Sequence, residues 1–408
     1  MAPSILPTQA DIRSRVVRMQ NAIKGAGMDL LVLHGTANHR FFTGLDGLPD
    51  VRPIFLVIRP NDAPAFISPR IEAPIIRTKC TEEIVAEWGD WDEPGMYRSF
   101  GDALASYIQK LTPKAATIGL DSNTVTAANL ELLKNKLASA DIVDASTFIS
   151  QVRRDGDAAQ TGILRSCADV AAHKFKGARE ATAPGVPEWK VALRGYTAAV
   201  ERASKYLEGD ENHSPLGSSF TVVGSGRIRS AHAHSVASNR IMRDGELVQI
   251  CCCTPTLVGH DMCFDRPIAV GPKELPEDVL KVVNAAREAS AAAWKVVRAG
   301  VRAGEVHAAA AEVIARHGFT EGMQHGTGRS IGCGGVGFRI MEGEQTVLQE
   351  GDVVGIEPGV YQYGVGGARY GDTALVTTTG CEMLTPFDLG RDIQADQAAI
   401  RRLQGAKI

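Results

Sequence analysis

Residues Gly245–Gly271 read GELVQICCCTPTLVGHDMCFDRPIAVG. Two apolar runs, LVQICC and DMCFDRPIAV, flank a segment with Pro255 and Gly259, which predicts two strands joined by a turn. The consecutive thiols Cys251–Cys253 alternate between the faces of a strand, so they are no disulfide framework. Three glycine-punctuated blocks follow: HGTGRSIG (His325–Gly332), GIEPGVY (Gly355–Tyr361) and GARYGDTALV (Gly367–Val376). The rest of the chain is organised around these four.

With 408 residues there is room for two packed domains. Apolar residues make up 44% and charged residues 22%, an ordinary balance for a globular protein. A net charge of −3 with interspersed signs gives no basic stripe, so no nucleic-acid partner is expected. No apolar run approaches the ~18 residues of a membrane span. MAPSILPTQADIRSR lacks the basic-then-apolar order of a signal peptide, so a cytoplasmic location is the expectation.

In the first half, Ile12, Val16, Met19 and Ile23 share one helical face, and Gly25 stops the helix. DLLVLHG, PIFLVIR and APAFIS read as strands. Thr117–Leu120 and Asp141–Asp144 are two more, with a helix over Ala127–Leu137 between them. The alternation is α/β and closes a first domain over residues 1–150, leaving 151–408 as the second. In the latter, Ile163, Cys167, Val170 and Ala171 define a buried helix face. Further helices follow Pro187 and span Leu280–Ala299 and Gly304–His317.

The four blocks, in this order, resemble the catalytic half of the pita-bread family that includes Xaa-Pro aminopeptidases, prolidase and creatinase. The resemblance implies an α+β protein: a creatinase-like N-terminal α/β domain, then a curved antiparallel sheet covered by helices. Peptidases of the family hold two metal ions with two Asp, one His and two Glu. Matched residue by residue, those positions are here Cys251, Cys263, Arg329, Glu357 and Gly371. A guanidinium cannot ligate. With one family ligand retained, no metal and no cofactor are expected, although thiols at Cys251 and Cys263 with Glu357 leave open a thiol-modified metallohydrolase.

Creatinase-like members work without metal, through a histidine ahead of the catalytic strands. SAHAHSVASNR places His234 on that position, with His232 in reserve. The carboxylate before the return-strand arginine is Asp265, and Glu357 is the second carboxylate. The resemblance also implies substrate contacts from His325, Arg329, Arg339, Cys251 and Cys263. It further implies a subunit-crossing arginine: an ungapped count from Gly44 selects Arg52. Gly371 is expected to leave open space in the pocket.

The expected activity is metal-independent hydrolysis of a C–N bond in a small carboxylate-bearing nitrogen compound, with His234 as acid–base group and active sites shared in a homodimer. Elimination on a similar substrate is the alternative reaction, and a non-catalytic binding module the alternative role.

Overall fold

The computed structural model describes residues 5–47, 51–112, 116–154, 157–217, 221–253, 257–334, 337–388 and 390–398. The turn expected around Pro255 is outside them in part.

The N-terminal domain is built on a six-stranded mixed sheet. Its strands are β1 (Leu30–Leu33), β2 (Phe55–Ile58), β3 (Ala65–Pro69), β4 (Glu83–Trp88), β5 (Thr117–Leu120) and β6 (Asp141–Asp144), in spatial order β4-β3-β2-β1-β5-β6. β1 and β2 are continuous apolar runs because both faces are covered, and β5 is buried from Ile118 onward. One face packs on α1 (Gln9–Gly25), α2 (Thr36–Thr43) and α3 (Ala73–Lys79), and the other on α4 (Phe100–Leu111) and α5 (Ala127–Lys136). Helix α1 starts at a reciprocal capping box between Thr8 and Asp11.

Helix α6 (Ser146–Arg154) leads into α7 (Ala158–Ala181), which pairs with α8 (Glu188–Tyr206) over the first half of a split sheet. That half is β7 (Val222–Ser225), the one-turn α9 (Gly226–Arg229), β8 (Leu247–Cys251) and β9 (Asp265–Ala269). Helices α10 (Glu277–Val296) and α11 (Ala303–Arg316) cover the second half. Its strands are β10 (Gly328–Ser330), β11 (Arg339–Ile340), β12 (Val353–Ile356), β13 (Gly359–Gln362), β14 (Gly366–Arg369), β15 (Asp372–Val376) and β16 (Cys381–Met383). The return strand begins at Asp265 rather than at Asp261, because Cys263 is tied sideways instead of along a ladder. The Thr373 hydroxyl receives its N–H at 3.0 Å and donates to its carbonyl at 2.9 Å.

One backbone bridge joins the ladders of the two halves among the described residues. Asp265 and Gly371 exchange both backbone hydrogen bonds, each 3.1 Å. Arg266, fully buried, braces the junction: one guanidinium nitrogen donates to the carbonyls of Asp265 and Gly371 at 2.7 Å each, and another pairs with Asp372 at 2.8 Å. Along this line the chain stacks Val236, Val222, Cys251, Asp265 and Gly371 as successive neighbours. Among the described residues no helix is long and apolar enough to cross a membrane.

Candidate active site

The junction gathers thiols, carboxylates and guanidiniums into one cluster. Cys253, just past the end of β8, points its sulfur at Asp265 (3.1 and 3.0 Å to the two oxygens), Glu357 (3.4 Å) and the Cys263 sulfur (3.2 Å). Cys263 itself lies 3.6 Å from Asp265. Arg369 at the end of β14 is buried; its Nε is 3.1 Å from Asp265 and 4.0 Å from Glu357. Gln249 fixes that strand end by accepting from the Arg369 N–H at 2.8 Å and donating to its carbonyl at 3.2 Å. Arg329 on β10 reaches to 3.7 Å from both Glu357 and Asp261.

These charges set one another. Burial opposes ionisation of Asp265, but the Arg369 guanidinium and the thiols of Cys251 and Cys253 outweigh it and hold the carboxyl below its usual range. Burial pushes Cys253 and Cys263 well up, and Asp261 up. Arg329 Nη1 and Arg369 Nη2 are buried without a hydrogen-bond partner, a costly state for a guanidinium N–H.

His325 stands at the cluster's edge. Its Nδ1 lies 2.7 Å from the Gly326 carbonyl and so carries the proton. Its Nε2 therefore accepts from the Tyr361 hydroxyl at 2.9 Å. Burial, then Arg369, lowers the pKa of His325, and burial raises that of Tyr361, so both are neutral at neutral pH.

Of the residues expected from sequence, Glu357, Asp265, Cys263, Arg329 and His325 come together here. Cys251 borders the same cluster: buried, it pairs with Asp265 across the β8–β9 ladder, its thiol helps hold the Asp265 carboxyl down, and its sulfur accepts the Cys253 N–H at 3.4 Å. A thiol absent from the expectation, Cys253 two residues on, reaches furthest into the cluster. Period-two alternation from Cys251 carries the signal for it. Arg369, equally absent from the expectation, lies on the quoted block two residues before Gly371.

Gly371 does not open the pocket. A Cβ there would sit 2.3 Å from the Asp265 carboxylate and 2.8 Å from the Cys263 sulfur. The space of the missing side chain is filled from the neighbouring strand. His232 and His234 lie exposed on the turn beyond α9, and neither makes a hydrogen bond or ion pair to the cluster; His232 stacks near Tyr363 at 6.5 Å. Arg339 is exposed on β11, in register with Arg329. Arg52 is on a loop of the N-terminal domain, paired with Asp90 at 2.7 Å.

This architecture is that of metallopeptidase family M24, whose profile matches residues 162–378, while the creatinase/prolidase N-terminal domain profile matches residues 15–154. The chain belongs to this creatinase/prolidase-like family. It is 43% identical to an agropine synthesis cyclase of Rhizobium rhizogenes over 95% of this chain and 98% of that one. It is 26% identical to an Xaa-Pro dipeptidase of Lactobacillus delbrueckii subsp. lactis over 90% and 95%. A prolidase structure from Thermococcus sibiricus superposes with a TM-score of 0.79 at 22% identity, covering 93% of this chain and 98% of that one.

The family's two-ion centre does not fit the residues present. On the sequence match made above, the imidazole position holds Arg329, whose guanidinium cannot ligate, the last carboxylate position is Gly371, whose side-chain space Asp265 fills, and the first aspartate position is the thiol Cys251.

Proposed function

We propose that the chain catalyses acyl transfer within, or hydrolysis of, a small carboxylate-bearing nitrogen compound: ring closure when an internal group attacks the carbonyl, ring opening or C–N cleavage when water does. The observation that carries this reading is the pair of guanidiniums of Arg329 and Arg369, each with a buried N–H that makes no hydrogen bond among the described residues, beside the carboxylates of Asp265 and Glu357. The donors suit a substrate carboxylate, which arginine grips with paired hydrogen bonds. The acids suit the nitrogen end of the same molecule. The agropine synthesis cyclase relative supports the cyclase direction, and microscopic reversibility makes closure and opening the business of one site.

In this reading His234 moves the proton. Both ring nitrogens of His325 are engaged, whereas His234 is exposed with no hydrogen bond among the described residues. A general base must have a lone pair free to take the proton. Arg52 reaches the site of a second copy, so the working unit is a homodimer.

The test is the ring-closing step of agropine synthesis and its reverse, assayed in heavy-oxygen water. One heavy oxygen in the opened product is expected, and none in the product of a first closure, whose oxygens all come from the unlabelled substrate. An unsaturated product without label would refute acyl transfer and point to elimination.

A further inference from the structure

The thiols and carboxylates of the cluster are drawn to a common point that hydrogen bonding alone does not explain. The sulfur of Cys253 has four polar atoms within 3.0–3.4 Å: both Asp265 oxygens, Glu357 Oε2 and the Cys263 sulfur. One S–H can donate to one of them at a time. Cys263 brings one more proton, and it too has Asp265 at 3.6 Å. The remaining approaches set lone pairs against lone pairs in a buried place, where unmatched acceptors are costly.

We propose that Cys253, Cys263, Asp265 and Glu357 bind a single zinc-class dication as a two-thiolate, two-carboxylate centre. One donor atom from each of the four lies within 4.8 Å of every other. Four of the six edges are 3.0 to 3.6 Å. A regular tetrahedron with such edges has its centre roughly 1.8–2.2 Å from each corner, so a small outward shift of the sulfurs reaches the ~2.0 Å Zn–O and ~2.3 Å Zn–S bonds. Two soft sulfurs among four ligands select zinc over magnesium or calcium, which take oxygen donors.

The donor set is this chain's own. Cys253 and Asp265 are not the family's ligand positions. The carboxylate missing at Gly371 is returned by Asp265 from the adjacent strand, and Cys253 supplies a fourth ligand. The arginines cease to be an obstacle. Two thiolates and two carboxylates carry four negative charges, which the dication and the guanidiniums of Arg329 and Arg369 neutralise between them. Among the described residues no guanidinium nitrogen comes within 3.5 Å of Glu357, so its oxygens remain free to ligate.

The proposal stands apart from the reaction suggested above, because its readout is metal rather than turnover. Full-length chain is dialysed against zinc, then against metal-free buffer, and its zinc content measured. One zinc per chain is expected, with loss of that zinc in Cys253→Ser and in Cys263→Ser. Cobalt replaces zinc in a second sample. Thiolate-to-cobalt charge-transfer absorption in the wild type reports the two sulfurs without a variant that must fold, and near-ultraviolet dichroism checks the variants. Wild-type protein that is folded yet binds neither ion, or cobalt bound without the thiolate bands, overturns the site. If zinc is absent while ring closure proceeds, only this proposal falls. If zinc binds and no acyl transfer is found, only the functional reading falls.

Discussion

Glu188 is the first residue of α8, and its carboxylate is fully buried. One oxygen accepts from the Ser225 N–H (2.9 Å) and hydroxyl (2.8 Å), the other from the Ser238 N–H (3.0 Å) and hydroxyl (2.7 Å). Arg229 bridges both oxygens at 3.1 and 3.0 Å. This one side chain therefore ties down both ends of the segment that carries His232 and His234. Glu188→Gln keeps the shape but makes one oxygen an amide NH2. A serine hydroxyl can turn to accept from it; the backbone N–H of Ser225 or Ser238 cannot. One buried N–H is orphaned, at about 1–3 kcal/mol, and Arg229 loses its counter-charge. The total should be about 3–5 kcal/mol, the range for breaking a buried ion pair. For a domain of this size that lowers Tm by about 6–20 °C, readable by calorimetry, and hydrogen exchange should open residues 229–238 first. The pH dependence follows the same carboxyl. Burial works against its ionisation, but Arg229 and the serine donors prevail and lower its pKa from 4.5. Its contribution is present in full above the unfolded value and is lost as pH falls through the lower folded one. Glu188→Gln should thus flatten the acid limb of the stability curve. A loss below about 1 kcal/mol, with the acid limb unchanged, would refute the reasoning.

Other perturbations test the remaining contacts. Gly371→Ala places a methyl 2.3 Å from the Asp265 carboxylate and should cost about 1–3 kcal/mol in stability, measured by urea unfolding; an unaffected midpoint would mean Asp265 is elsewhere. His234→Ala should lower turnover by about 10²–10⁴-fold with the melting temperature unchanged, since His234 is exposed; wild-type turnover removes it from the mechanism. Arg52→Ala and His234→Ala subunits, each inactive alone, should recover activity when mixed; heterodimers that form and stay inactive return Arg52 to its surface pair with Asp90.

Much of this molecule is legible in its sequence because apolar runs buried on both faces and glycine-bounded blocks are local signals. LLVL and FLVI lie in the N-terminal sheet where their runs place them, and Glu357, Arg329 and His325 converge as their blocks imply. The misplacements are all questions of which side chain enters a shared space. Cys251 and Cys253 have the same parity and both act on Asp265, but only Cys253, beyond the strand's end at Cys251, also meets Cys263 and Glu357. Gly371 reads as a vacancy until the strand beside it is seen to lend Asp265. Arg369 sits in plain view, but its role depends on being held by Gln249 from another strand pair, a partnership no local pattern encodes.

That loan between strands has a consequence for how the site can change. Positions 265 and 371 share a single volume, and one carboxylate fills it. A glutamate placed at 371 alone collides with what is already there. Aspartate removed from 265 alone leaves Arg369 facing an empty space. Only the two changes together exchange one donor for the other. The order of substitution therefore matters, and either single step leads through a damaged protein. This pair should show strongly non-additive behaviour in a double-mutant cycle, and a chain carrying this cluster is separated from a centre with its last carboxylate at 371 by a barrier that sequence distance alone does not measure.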